Sequence, residues 1–210
     1  MLQFSLERAR KILCLGAHSD DIEIGCGGTL LTLGRRYPDL EILWVVFSGE
    51  GARTREARLS AKRFLKTAAH KIVVKPFKGS FFPYQGEAIK SYFEKLKPFE
   101  PDVVFTHYRD DRHQDHRVLS DFAWNTFRNH TILEYEIPKY DGDLGIPNVF
   151  FPLEDDVAKT KAELLCQAFQ TQRNKHWFTE DTFLSLMRLR GIECAATYAE
   201  AFHGRKLLVG

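Results

Sequence analysis

The sequence predicts a parallel, doubly wound α/β sheet, and three observations carry that class. Apolar runs of strand length alternate with stretches of helical composition from Lys11 to Arg128. Two of those runs, Ile12–Leu15 and Leu40–Phe47, are almost uninterrupted, as a strand covered on both faces must be. No internal repeat and no linker rich in Pro, Gly or Ser divides the chain, so 210 residues form a single expected domain, 1–210.

The elements follow in order. Lys11–Leu15 reads as the first strand, followed by a polar turn over Gly16–Glu23. A glycine-rich opening, Gly25–Gly28, leads into a helix ending at Arg36. Leu40–Phe47 is the second strand, Arg53–Ala69 a helix, and Ile72–Val74 the third strand. Glu87–Lys97 is helical, Asp102–Thr106 is the fourth strand, and Gln114–Arg128 is the next helix. Asp156–Gln170 and Asp181–Leu189 complete the helical set. In such sheets ligands bind beyond the carboxyl ends of the strands, which directs attention to the loops after strands one, two and four.

Composition narrows the function classes. Hydrophobic residues make up 44% and charged residues 28%, with 14 Gly and 8 Pro, which excludes collagen-like and disordered chains. Thirty basic and 28 acidic residues leave a net charge of +2, so nothing marks a nucleic-acid partner. The apolar run near the N-terminus stops at Gly16, too short for a signal peptide, and no stretch reaches the length of a membrane span. The 4 cysteines form no CxxC pair and read as free thiols, which makes the cytoplasm the expected compartment.

Chemistry concentrates in two segments. GAHSDDIEIGCGG follows strand one directly. Asp20, Asp21 and Glu23 would repel a phosphate there, and GCGG lacks dinucleotide spacing. His18 and Asp21 instead give an imidazole and a carboxylate three positions apart, half of a divalent-metal site, although an acid-rich helix start would look similar. After strand four the chain reads THYRDDRHQDHR, with His107, His113 and His116 among three aspartates. His113 and His116 share a helix face and point toward His18 and Asp21.

Two neutral imidazoles and one carboxylate with an open position make a catalytic zinc arrangement, and ferrous iron fits the same set. A hydrolase also needs a proton acceptor and a donor. Asp20 is the natural general base, His113 is placed for the oxyanion or leaving amine, and Asp115 could orient His113.

AHSDDIEIGCGGTL and DRHQDH together resemble the two signature motifs of the PIG-L/LmbE-like de-N-acetylase family. Arg53 with Glu56 and Ala57, and Tyr198–Phe202 (YAEAF), are similar to further family stretches, with a variable middle from about Tyr135 to Phe150. The resemblance implies a Rossmann-like three-layer fold with a mostly parallel sheet. It implies a zinc deacetylase acting on N-acetylated amino sugars or their conjugates, such as N-acetylglucosamine derivatives. It assigns His18, Asp21 and His116 as zinc ligands, Asp20 as general base, His113 and Asp115 as the supporting pair, and Arg53 as a substrate or loop contact. Ser19 stands where many members have Pro, and the acid after the paired aspartates is at Glu23 rather than at Ile22.

Two other classes remain beside this one, a metal-dependent phosphoester hydrolase and a sugar-binding relative without catalysis. Self-association is left open. Phe77–Tyr84 and Arg53–Arg58 are candidate cleft walls, or else core edge and solvated helix. Arg188, Arg190, Arg205 and Lys206 form a mild basic tail best read as solvated surface, and Trp124 and Phe127 are expected in the core. His70, His130, His176 and His203 receive no role.

Overall fold

A computed structural model describes residues 3–66 and 68–208. Met1, Leu2, Thr67, Val209 and Gly210 lie outside it, and with them one position of the expected Arg53–Ala69 helix.

Five strands run parallel: β1 (Lys11–Gly16), β2 (Glu41–Val46), β3 (Ala69–Val74), β4 (Val103–His107) and β5 (Thr131–Tyr135). Two more, β6 (Val149–Leu153) and β7 (Tyr198–Gly204), complete a sheet of order β3-β2-β1-β4-β5-β7-β6, in which β7 is antiparallel to both neighbours. Six helices accompany them among the described residues: α1 (Asp21–Arg36), α2 (Gly51–Phe64), α3 (Gly86–Leu96), α4 (Gln114–Thr126), α5 (Asp155–Ala168) and α6 (Glu180–Glu193).

The apolar runs explain the three layers. Alternate residues of β1 serve opposite cores: Ile12 and Cys14 pack with α1, α2, α5 and α6, whereas Leu13 and Leu15 pack with α3 and α4. Strand order reverses between β1 and β4, so the loops after these two strands open into the crevice where such sheets bind ligands.

The structure departs from the sequence expectation at several places: the helix expected over Arg53–Ala69 ends at Phe64, and Ala69 instead opens β3, which begins before the expected Ile72. The turn expected over Gly16–Glu23 is shorter, and α1 already begins at Asp21. Acidic Asp21 and Glu23 in the first turn suit the helix dipole, and both are buried along with Ile22 and Ile24. β5, β6 and β7 have no counterpart in the strands read from sequence. Finally, the glycines of GCGG serve close packing: a Cβ on Gly25 would lie 2.2 Å from the Tyr135 ring, and one on Gly28 would lie 2.7 Å from Leu153. No helix among the described residues is long and apolar enough to cross a membrane.

Candidate metal centre

The loop after β1 and the start of α4 bring His18, Asp21 and His116 together. His18 Nδ1 lies 3.2 Å from His116 Nε2. Asp21 Oδ2 lies 3.4 Å from His18 Nδ1 and 3.6 Å from His116 Nε2. Ligands at 2.0–2.2 Å from a tetrahedral ion stand roughly 3.3–3.6 Å apart, so this triangle has the dimensions of three corners of such a site.

Both imidazoles are turned the right way. His116 Nδ1 meets Asp111 Oδ2 at 2.9 Å and His18 Nε2 meets Asp115 Oδ2 at 3.1 Å. With those nitrogens protonated, His116 Nε2 and His18 Nδ1 are left to coordinate. Asp115 is itself fixed by the amides of Ser80 (2.5 Å) and Phe82 (3.1 Å). The sequence reading set Asp115 behind His113; its carboxylate faces His18 instead, and only its backbone amide touches His113, donating to Nδ1 at 3.2 Å. Asp111, which carries His116, was overlooked because nothing in the DD pair after Arg109 distinguishes one aspartate from the other.

The electrostatics match a cation site. Burial works against charging His18, but Asp21, Asp115 and Asp20 outweigh it and raise its pKa to about 10. Burial and neighbouring His107 bring His116 down to about 3. Asp21 stays well below the usual carboxylate range: burial opposes this, and His116, His18 and His107 overcome it. His107 stacks on His116 at 3.9 Å between centroids and puts Nε2 3.2 Å from Asp21 Oδ2. That nitrogen already accepts the Ala17 amide at 3.0 Å, which makes His107 a wall of the site rather than a free ligand.

Two further groups line the same cleft of about 270 Å³. Asp20 accepts from Arg53 Nη2 at 2.9 Å, and its carboxyl is raised by burial, with Arg53 acting in the opposite sense. His113 caps α4; because Nδ1 accepts the Asp115 amide, its Nε2 is the protonated nitrogen, and burial and His18 lower its pKa. The far wall, which sequence reasoning missed, comes from two loops of the C-terminal half and includes Lys139, Tyr140, Lys175 and Trp177.

Of the other candidates, Ser80 lines the cleft and Phe82 is core, whereas Tyr84 is exposed. Arg190 pairs with Glu136 and Arg205 with Glu134, so the basic tail is a set of internal ties.

The fold and this cluster define an α/β protein whose side chains, in the groups His18–His113–His116 and Asp21–His107–His116, could hold a metal ion at the carboxyl ends of its parallel strands. Residues 13–127 match the family described as PIG-L, GlcNAc-PI de-N-acetylase, and the chain belongs to that family. Solved structures share the fold at low identity. N,N'-diacetylchitobiose deacetylase from Pyrococcus horikoshii aligns with TM-score 0.75 and 21% identity over 96% of this chain and 87% of that one. A deacetylase of teicoplanin biosynthesis aligns at 0.70 and 14%, over 92% and 97%. The hydratase GalB from Pseudomonas putida, which acts on 4-carboxy-2-hydroxymuconate, aligns at 0.72 and 14%, over 96% and 98%. Because the fold also serves a hydratase, it does not choose the reaction.

Proposed function

We propose that the protein is a zinc-dependent de-N-acetylase of an N-acetylated amino sugar or sugar conjugate. The observation that carries this reading is the His18–Asp21–His116 triangle, with each imidazole turned by a carboxylate. Family membership supports the amide as the bond cleaved. Two imidazoles and a carboxylate favour zinc, with ferrous iron the next candidate. When bound, the ion would supply Lewis acidity and a water whose pKa falls to about 7.

The side chains then divide the remaining work. Asp20 accepts the proton of the attacking water as its oxygen bonds to the acetyl carbon. Arg53 holds Asp20 Oδ1, so the second carboxylate oxygen serves as the base. His113 donates from Nε2 to the developing oxyanion and steadies the leaving amine. The proton on Asp20 passes to nitrogen as the C–N bond breaks, giving acetate and the free amine.

The cleft is near the lower end of ligand-site volumes, which suits a single sugar ring with its acetamido group. Tyr140 stands edge-on to Trp177 at 6.3 Å and offers an aromatic face at the rim, 67% exposed. The cytoplasm is the compartment we propose, and the whole chain is taken as one catalytic domain.

The deciding experiment is acetate release from N,N'-diacetylchitobiose, free N-acetylglucosamine and nucleotide-linked N-acetylglucosamine by zinc-loaded protein, with metal content measured alongside. Acetate from any of them supports the reading. Phosphoester cleavage or hydration of an unsaturated acid without acetate release would sink it.

A further inference from the structure

Two sequence features have no part in the chemistry above: the YAEAF stretch around Glu200 and the glycine run after Glu23. The fold joins them through a buried charge pair. α1 is broken at Cys26, whose φ of −142° and ψ of 17° are not helical. In an unbroken helix the Ile24 carbonyl would accept from the Gly28 amide. Here Gly28 N–H donates to Glu200 Oε1 at 2.7 Å and Thr29 N–H to Glu200 Oε2 at 2.7 Å. The Thr29 hydroxyl adds a third bond to Oε2 at 2.6 Å. Lys161 Nζ, from α5, donates to the Ile24 carbonyl at 2.5 Å and to Glu200 Oε1 at 2.6 Å.

The pair therefore takes up the donor and the acceptor that the break sets free. A carboxylate caps the amides opening the second segment, and an ammonium caps a carbonyl of the first. Both side chains are 3% exposed. Gly28 leaves room for this contact, since a Cβ there would lie 3.0 Å from Glu200 Oε1. A buried ion pair adds little net stability over an apolar replacement, so its presence calls for another explanation. The segment it holds, Asp21–Gly25, is the short first turn that carries Asp21 and follows Asp20.

We propose that Lys161 and Glu200 are positioning residues. They substitute for a helical hydrogen bond and hold the first turn of α1 at the strand ends, so that Asp20 and Asp21 keep their places against Arg53, His18 and His116. The metal-affinity and turnover parts of this inference rest on the proposed function; the mechanical part does not.

The test compares Glu200→Gln with wild type and with Leu165→Ala, a core change on the same helix as Lys161. Hydrogen exchange of the Asp20–Leu30 amides is followed without added metal, zinc affinity by chelator competition, and kcat and KM by acetate release. In Glu200→Gln, exchange of that segment should rise at least about tenfold and zinc affinity should fall about 10–100-fold. Turnover should drop with KM nearly unchanged. Leu165→Ala should lower the melting temperature while leaving zinc affinity as in wild type. Should Glu200→Gln not fold, Lys161→Met keeps the carboxylate on the two amides and gives the same readouts. A folded variant with wild-type exchange in this segment and wild-type zinc affinity overturns the proposal. If wild type neither binds zinc nor releases acetate, the functional reading fails, and segment exchange alone decides whether the pair holds the turn.

Discussion

His116 shows how one imidazole is prepared for a cation. Asp111 holds its Nδ1, burial keeps it neutral, and Nε2 is left facing Asp21 and His18. Lys139 Nζ also reaches Asp111 Oδ2, at 3.0 Å, so the orienting carboxylate is itself held. Asp111→Asn keeps the shape and an acceptor but removes the charge. Zinc affinity measured by chelator competition should fall about 10–100-fold, and unchanged affinity would show that the carboxylate's charge is irrelevant to His116. Asp20 has a different part. It touches Arg53 and lies outside the His18–Asp21–His116 triangle. Asp20→Asn should retain about one zinc per chain while kcat falls by roughly 10²–10⁴. Loss of metal together with activity would make Asp20 a ligand. The proposed ligands could be picked out because His18, Asp21 and His116 stand in two compact motifs, which the fold brings together. The partners were less so, since which nitrogen each carboxylate faces depends on the angle at which α4 leaves its loop.

At the scale of elements, α1 answers to its neighbours as much as to its own sequence. Gly25 lies against Tyr135 of β5, a fully buried ring whose hydroxyl donates to the Leu15 carbonyl at 2.6 Å and which cannot swing aside. Gly25→Ala would place a methyl 2.2 Å from that ring. A destabilisation of about 3 kcal/mol is expected, read as a drop of roughly 6–12 °C in melting temperature. A drop under about 2 °C would mean that α1 can shift as a body. The first four strands were readable from their apolar runs; β5, with the sequence TILEY, also has strand composition, whereas β6 and β7 were hidden for identifiable reasons. β6 contains Pro152, which weakens a strand reading, and it occupies the sheet edge where proline is tolerated. β7 carries Ala and Glu, poor strand formers, at positions where pairing with β5 and β6 decides the conformation. The far wall of the cleft was hidden too, because Lys139, Tyr140, Lys175 and Trp177 sit in loops without periodicity.

At the scale of the molecule, the parallel half supplies the chemical groups and the C-terminal half closes the sheet around them. β7 enters between β5 and β6, and its His203 pairs in register with Glu134. Glu134 collects Arg109, Arg205 and Trp124 Nε1, which ties the loop after β4 and helix α4 to the final strand. His203 lies inside this junction. It stacks on Tyr108 at 3.9 Å, its Nε2 has no hydrogen-bond partner, and burial lowers its pKa to about 4. Glu134 and Asp110 pull that value up, and Arg205 and Arg190 push it down. An unfolded chain protonates this residue near pH 6.5. Between about pH 6.5 and 4, therefore, the unfolded state binds a proton that the native state refuses, and stability falls as pH falls. Above that window His203 adds no pH dependence. His203→Phe keeps a stacking ring and removes the titration. Melting temperatures at pH 7.5 and pH 5.0 should consequently differ less in the variant than in wild type. Equal differences in the two proteins would mean that the native junction accepts the proton as readily as the unfolded chain does.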